Sequence, residues 1–218
     1  MLFDHHGFIL DIPERDYFII GELSENILHE ISRPVTILDI GAHVGSWSLM
    51  AASLGSDRRI VAVEPDESNF ISLANNISNN GLKDRIIPIR AALWHERRAI
   101  ELKRPRLGNS GQRSLVFRDG YDSCGFVNGV VFSELLDLFP DGVDYCKIDI
   151  EAAEWSIIPK IEEKDLSRVK IFEIDVHETL PEYTPDDYIF NPDLIHNHLE
   201  SRGFAIEAMT RGIIARRS

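Results

Sequence analysis

Two groups of residues in this sequence have types and spacings suited to chemistry. In the first, Asp39, Gly41, Ala42, His43, Gly45 and Ser48 follow an apolar run, Thr36-Ile37-Leu38-Asp39-Ile40, and lead into a second apolar stretch. Glycine at a strand-to-helix turn lets the backbone come close to a ligand, where a Cβ would collide. Asp39 puts a negative charge at the mouth of that turn, which suits a cationic ligand better than a diphosphate. The next apolar run, Ile60-Val61-Ala62-Val63, stops at Glu64. An acid there can accept both hydroxyl protons of a ribose, and Asp66 is near enough to join it. The diphosphate pattern G-x-G-x-x-G is not completed, because His43 stands at its third position and Ser46 at its last. The loop therefore suits a nucleoside without a diphosphate. S-adenosylmethionine fits, with its ribose, adenine, sulfonium and amino-acid tail.

The second group lies a hundred residues on. Asp149, Glu151 and Glu154 follow one apolar run, and Asp175, His177 and Glu178 close another. An acidic cluster with one histidine is suited to a hydroxyl acceptor. A histidine has an unperturbed pKa of about 6.5, and a neighbouring carboxylate raises its basicity. His177 is thus a candidate general base. Asp149 is a second candidate, or an orienting group for a cofactor amine, and Glu151 could hold acceptor hydroxyls. The plainer alternatives are a surface histidine after a strand and a Glu154 that caps a first helical turn. Asp149, Asp175 and His177 could also chelate a divalent ion, but carboxylates at strand ends need no metal to explain them, so none is expected.

These residues need strands and helices to position them. Ser46 is a plausible N-cap for an apolar helix over 47–54 that stops at Gly55. Asp66 caps a helix predicted over 67–79, with Phe70, Leu73 and Ile77 on one face and Gly81 as its stop. A third strand covers 86–89. Ala91-Ala92 follow it, small enough for a flat adenine and equally suited to ordinary packing. An antiparallel strand is expected over 99–102. Residues 104–130 hold five glycines and little periodicity, which marks a long loop or a pair of short strands. Arg104, Arg106 and Arg113 make it locally basic, so it is either a substrate-gating loop or a disordered insertion. A short helix over 131–139 precedes a fourth strand over 145–150 and a helix over 152–161. A fifth strand over 169–176, a helix over 193–201 and a hairpin over 204–208 and 212–215 complete the chain. Upstream, Phe8-Ile9-Leu10 reads as a short strand and 17–31 as a helix; residues 1–34 form a cap segment and 35–218 the main domain. His5-His6 is read as an inert pair.

The motif Asp39-Ile40-Gly41-Ala42 with Gly45 and Trp47-Ser48, followed by Val61 to Glu64-Pro65, resembles the class I S-adenosylmethionine-dependent methyltransferases. Lys147-Ile148-Asp149-Ile150-Glu151-Ala152-Ala153-Glu154 is similar to the K-I-D-x-E-G-A-E motif of the FkbM methyltransferase family. His43 departs from that family's frequent Asn, and Ala152 from its Gly. The resemblance implies an α/β, Rossmann-like fold with a doubly wound, mostly parallel seven-stranded sheet and one antiparallel strand. It implies S-adenosylmethionine as cofactor and O-methylation of a hydroxyl on a small molecule or sugar-containing metabolite. An NAD-dependent oxidoreductase and a catalytically silent nucleotide-binding module are the alternatives.

Composition bounds the partners. The 218 residues suit one α/β domain, and a net charge of −13 argues against a nucleic-acid phosphate surface and an anionic membrane. No run approaches the roughly 20 apolar residues of a membrane span. Cys124 and Cys146 have no metal-like spacing and suit unpaired thiols in a reducing cytoplasm. The expected partner is a small hydroxyl acceptor. Oligomeric state is open, a homodimer included.

Overall fold

The computed structural model describes residues 2–5, 8–12, 35–106, 114–116, 121–177 and 191–217. The helix expected over 17–31, His6, Arg113, Glu178 and the loop after it lie outside those residues. The chain enters through a hairpin, β1 (Leu2–His5) and β2 (Phe8–Asp11). Next come β3 (Thr36–Ile40), α1 (Ser46–Ser53), β4 (Arg59–Val63), α2 (Glu67–Asn79) and β5 (Ile86–Ile89). A small second sheet follows from β6 (Ala92–Leu93), β7 (Ala99–Pro105) and β8 (Tyr121–Val130). The chain returns through α3 (Phe132–Leu136), β9 (Val143–Ile148), α4 (Glu154–Ile157), a 3-10 turn over Ile158–Lys160 and α5 (Glu163–Leu166). It ends with β10 (Val169–Asp175), α6 (Pro192–Glu200), β11 (Phe204–Ala208) and β12 (Gly212–Arg217).

The main sheet has seven strands in the order β11-β12-β10-β9-β3-β4-β5. Every neighbouring pair is parallel except the two that β12 makes, so β12 is the one antiparallel strand. This is the expected class of sheet. The order reverses between β3 and β9, so the loops after these two strands face each other across the switch point, where open α/β sheets place ligands.

Each face of the sheet is buried, as near-continuous apolar strands require. On one side Leu38, Val61, Cys146 and Phe172 pack with Phe132, Leu136, Trp155 and Leu199. On the other, Ile37, Ala62 and Tyr145 pack with Trp47, Met50, Leu73 and Leu10. Consecutive residues such as Ile37 and Leu38 thus serve opposite cores, following the period of two along a strand. The second core also fastens β2: Asn76 Oδ1 accepts from the Asp11 N–H at 2.7 Å, and Asn80 Oδ1 from the Ile9 N–H at 2.9 Å.

Several expectations are corrected by physical detail. Ser46 is the first helical residue rather than the N-cap; Gly45 precedes it at φ 90°, a conformation that serine enters poorly. The helix expected over 152–161 shrinks to α4 and a 3-10 turn. Glu151 and Ala152 stand at φ 52° and 75° and break its start, and Pro159 lacks the N–H that would continue it. The fourth strand ends at Ile148, which leaves Asp149 and Glu151 on the loop beyond it. Of the two readings of residues 104–130, the strand reading holds over 121–130, as one ten-residue strand paired with β7 and longer than expected. The strand is bulged opposite Leu102 and Lys103, where Gly125 takes φ 104°.

Candidate active site

The loop after β3 is held against β4. The N–H groups of Gly41 and Ala42 both donate to Val63 O, at 2.9 and 3.0 Å. Gly41 has φ 88°, and a Cβ there would lie 1.8 Å from Asp149 O. Gly45 is constrained by its φ of 90° and less by space, since the nearest atom to where its Cβ would be is the end of a leucine side chain, Leu73 Cδ1 at 2.6 Å. His43 adopts φ 52°. Asn, Asp and His enter that left-handed region more often than other residues with a Cβ. Asp39 is wholly buried, and Ser48 Oγ donates to its Oδ2 at 2.5 Å. Its Oδ1 has no partner among the described residues. Burial pushes the Asp39 carboxyl above its usual range, against the pull of Lys147 and the Ser48 bond. Ser48 therefore orients Asp39 and is itself fully buried.

Glu64 is fixed from two sides. Its Oε2 accepts the His43 N–H and its Oε1 the Asp66 N–H, each at 2.9 Å. Burial raises its carboxyl to about 7, opposed by those two bonds. Asp66 caps α2, its Oδ1 accepting from the N–H groups of Ser68 and Asn69 at 3.0 Å. One element thus links the glycine turn, the acid after β4 and the start of α2. Ala91 is buried in the apolar core beside Ala92 and Leu93. A cleft of about 420 Å³ opens next to Pro65 and Asp66, lined further by Arg90, Leu102, Arg104 and Phe126.

Across the switch point, β9 and β10 bring the acidic group together. Lys147 Nζ donates to Asp149 Oδ2 at 2.8 Å. Burial disfavours its charge, but Asp149, Asp175, Asp39 and Glu173 surround it and keep it protonated. Burial also works against the Asp149 charge, and Lys147 and His177 prevail to hold that carboxyl below its usual range. His177 Nδ1 lies 3.0 Å from Glu154 Oε1, and its Nε2 lies 3.7 Å from Asp149 Oδ1 and 3.9 Å from Glu151 Oε2. Burial alone would lower the ring's pKa; the bond and charge of Glu154, then the charges of Glu151 and Asp149, raise it to about 10. Burial pushes Glu151 up to about 8, against the pull of His177. Asp175 is also raised, chiefly by burial.

The structure thus gathers Asp149, Glu151 and His177 in one place and Asp39, Gly41, His43 and Glu64 in another. The two places meet where Gly41 touches Asp149. Two residues gain roles that spacing did not assign. Lys147 is the buried counter-ion of Asp149. Glu154 does not simply cap a surface turn: it is wholly buried, accepts the Ile150 N–H at 2.9 Å and braces His177. The signal for both was their place in the Lys147–Glu154 motif; Lys147 finds Asp149 within that motif, whereas the His177 that Glu154 braces follows another strand. His198 stands apart, bonding Ile161 O at 3.1 Å. No disulfide joins Cys124, which is exposed, to Cys146, which is buried. Among the described residues no helix is long and apolar enough to cross a membrane.

Comparison with known proteins shows the same fold and identifies the family. The N-terminal domain of human METTL16, solved with S-adenosylhomocysteine, is 15% identical and superimposes with a TM-score of 0.52, covering 97% of this chain and 76% of that one. An O-methyltransferase family protein from Burkholderia thailandensis is 11% identical with a TM-score of 0.52, covering 93% of this chain and 56% of that one. This chain thus spans little more than half the length of the Burkholderia protein. At such identities the likeness is one of fold. No curated protein sequence matches the chain. The Methyltransferase FkbM domain profile matches residues 39–206, a span that contains both the glycine turn and the acidic cluster. That match sets aside the oxidoreductase alternative, and the chain belongs to the FkbM methyltransferase family.

Proposed function

We propose that this protein is an S-adenosylmethionine-dependent O-methyltransferase whose acceptor is a hydroxyl of a small molecule or a sugar-containing metabolite. The observation that carries this reading is the contact between Gly41 and Asp149, which joins a nucleoside-type turn to an acidic cluster at the switch point. The residues fit the cofactor. Asp39 offers a buried, unpartnered Oδ1 to a cationic ligand, and Glu64 is a carboxylate positioned by two backbone N–H groups. The same fold in human METTL16 holds S-adenosylhomocysteine, in keeping with this.

In this reading Asp39, Gly41, Ala42, His43 and Gly45 hold the amino-acid portion, with Ser48 steadying Asp39. Glu64 and Asp66 hold the ribose, Ala91 lies at the adenine, and Asp149 faces the amine. When bound, the cofactor supplies a methyl group on a positively charged sulfur, which leaves as the thioether once the acceptor oxygen takes the methyl. The protein's part is alignment, which can supply about 7–11 kcal/mol of a barrier. Asp149, Glu151 and His177 hold the acceptor hydroxyl and stabilise its oxygen as its proton passes to water. Glu154 and Lys147 keep them from turning away.

The test is transfer of a labelled methyl group to a metabolite extract, with the product read by mass spectrometry. Thermal stabilisation by S-adenosylhomocysteine but not by NAD supports the reading, as does its loss in Glu64→Ala. Binding of the cofactor with no methyl transfer to any hydroxyl-bearing pool would leave a silent nucleotide-binding module.

A further inference from the structure

We propose that Asp149 Oδ1, Glu151 Oε2 and His177 Nε2 form a binding site for one divalent first-row transition cation, which anchors the acceptor hydroxyl. This rests on the methyl-transfer reading for its purpose, but not for its existence as a site.

Each of the three residues offers one ligand atom, and these atoms lie within 4.8 Å of one another. His177 Nε2 stands 3.7 and 3.9 Å from its two carboxylate neighbours. Those separations are too long for hydrogen bonds. They suit ligands on a shared ion: at about 2.0–2.2 Å from a metal, two donors stand roughly 3–4.3 Å apart. Each donor atom is also left available by its other contacts. Asp149 commits Oδ2 to Lys147, which leaves Oδ1 towards the ring. His177 directs Nδ1 at Glu154 Oε1, which leaves Nε2 towards Asp149 and Glu151. A carboxylate behind the far nitrogen is the usual support of a metal-binding histidine, because it sets the tautomer and aims the ring.

Glu154, behind the imidazole, adds to the negative charge around the site. It is wholly buried, and its Oε2 has no partner among the described residues. A buried carboxylate left half-satisfied is costly unless positive charge is near. An ion bound at Nε2 takes the place of that nitrogen's proton, and the acids Asp149, Glu151, Glu154 and Asp175 then surround it with Lys147 as their nearby cation. One imidazole with two carboxylates is a mixed nitrogen and oxygen set, which favours Mn²⁺ or Zn²⁺ over an all-oxygen ion such as Ca²⁺. An ion with three protein ligands keeps open positions. A hydroxyl bound there becomes more acidic and releases its proton to water, and the oxygen is left beside the Gly41 turn.

The test uses the full chain and Mn²⁺ alone, followed by the loss of the free-ion signal in electron paramagnetic resonance, with S-adenosylhomocysteine binding measured on the same samples. One Mn²⁺ per chain is expected, weakened at least tenfold in Glu151→Gln and in His177→Ala. Glu154→Gln, which touches only the far side of the ring, should weaken it about 10–100-fold. Circular dichroism and S-adenosylhomocysteine binding report whether each variant is folded. A wild-type protein that binds S-adenosylhomocysteine but not Mn²⁺, or folded variants that bind Mn²⁺ as tightly as wild type, overturns the site. Mn²⁺ bound at these residues without any binding of S-adenosylhomocysteine would uphold the site and overturn the methyl-transfer reading instead.

Discussion

Gly41 and Asp149 touch backbone to backbone, and a Cβ on Gly41 would lie 1.8 Å from the Asp149 carbonyl oxygen. The Asp149 N–H in turn donates to Ile40 O at 2.9 Å, so the two loops are laced together at the sheet's switch point. Gly41 also takes φ 88°, which costs an L-residue about 1–2 kcal/mol before any clash. Gly41→Ala is therefore expected to cost about 3 kcal/mol or more, combining that strain with overpacking. Because the clash is with backbone, it pushes the cofactor turn off the acidic cluster. Urea unfolding and S-adenosylhomocysteine titration check this: both stability and affinity should fall. A variant with wild-type affinity would show that the two loops are not one site.

If Glu64 holds the ribose as proposed, cofactor binding is sensitive to pH. Burial lifts its carboxyl to about 7, while the N–H groups of His43 and Asp66 favour the ionised form. Asp66 adds a nearby negative charge and Asn69 a donated bond. An ionised carboxylate is the form that accepts two ribose hydroxyl protons. Affinity for S-adenosylhomocysteine should rise as pH climbs through about 7, and Glu64→Gln should flatten that rise. Stability of the free protein moves the other way. The folded carboxyl keeps its proton above the value of about 4.3 at which the unfolded one loses it, so this group's contribution to stability declines from there up to about 7. Calorimetric titration at several pH values, on wild type and Glu64→Gln, separates the two effects.

Much of this was legible locally. The run from Thr36 to Asn79 carries its own punctuation: glycines at the turn, an acid after the strand, Asp66 as cap and Gly81 as stop. Helix α2 was readable to the residue because its cap and its apolar face agree. The expected helix after Glu151 failed because two consecutive residues enter the left-handed region without being glycine, which no propensity announces. Strand β8 was hidden because most of its side chains face solvent, and a bulge at Gly125 breaks the alternation. In the site, Asp149, Glu151 and His177 were nameable from their strand ends. The brace from Glu154 to His177 was not, since it joins residues on α4 and after β10 that only the sheet brings together.

Ala152 offers a direct probe of that backbone strain. It stands at φ 75° and is wholly buried. Replacing it with Gly relieves about 1–2 kcal/mol of left-handed strain. The same change loses one buried methyl, about 0.8 kcal/mol, and adds about 0.5–1 kcal/mol of chain entropy to be lost on folding. The terms nearly cancel, so Ala152→Gly should lie within about 1 kcal/mol of wild type. Ala152→Val meets both penalties, a β-branched residue at positive φ and two extra methyl groups in a filled core. It should cost about 3 kcal/mol or more. Denaturant midpoints of the three proteins give the comparison, and a well-tolerated valine would mean that the left-handed turn is not kept in solution.

Asp144 fastens the strand that delivers Asp39. Its Oδ2 accepts the N–H groups of Val35 and Thr36 at 3.1 and 3.0 Å and the Thr36 hydroxyl at 2.9 Å. Its Oδ1 accepts from Lys170 Nζ at 2.6 Å. Burial works against the charge, but Lys170 and the Thr36 and Val35 donors hold the carboxyl down to about 2. Since the folded value lies below the unfolded one, the stabilisation is complete above about pH 4 and fades as pH falls towards about 2. Lys170 is exposed, and its share is small. The backbone donors matter more: Asp144→Ala leaves the Val35 and Thr36 N–H groups at the start of β3 without their acceptor, while the Thr36 hydroxyl keeps Gly142 O at 3.1 Å, a loss of about 1–3 kcal/mol. Asp144→Asn keeps one carbonyl acceptor and should lose about half as much. The difference between the wild-type and Asp144→Asn unfolding free energies should narrow below pH 4 as the native carboxylate takes up its proton; a difference that stays constant down to pH 2 would show that its charge plays no part in the clasp.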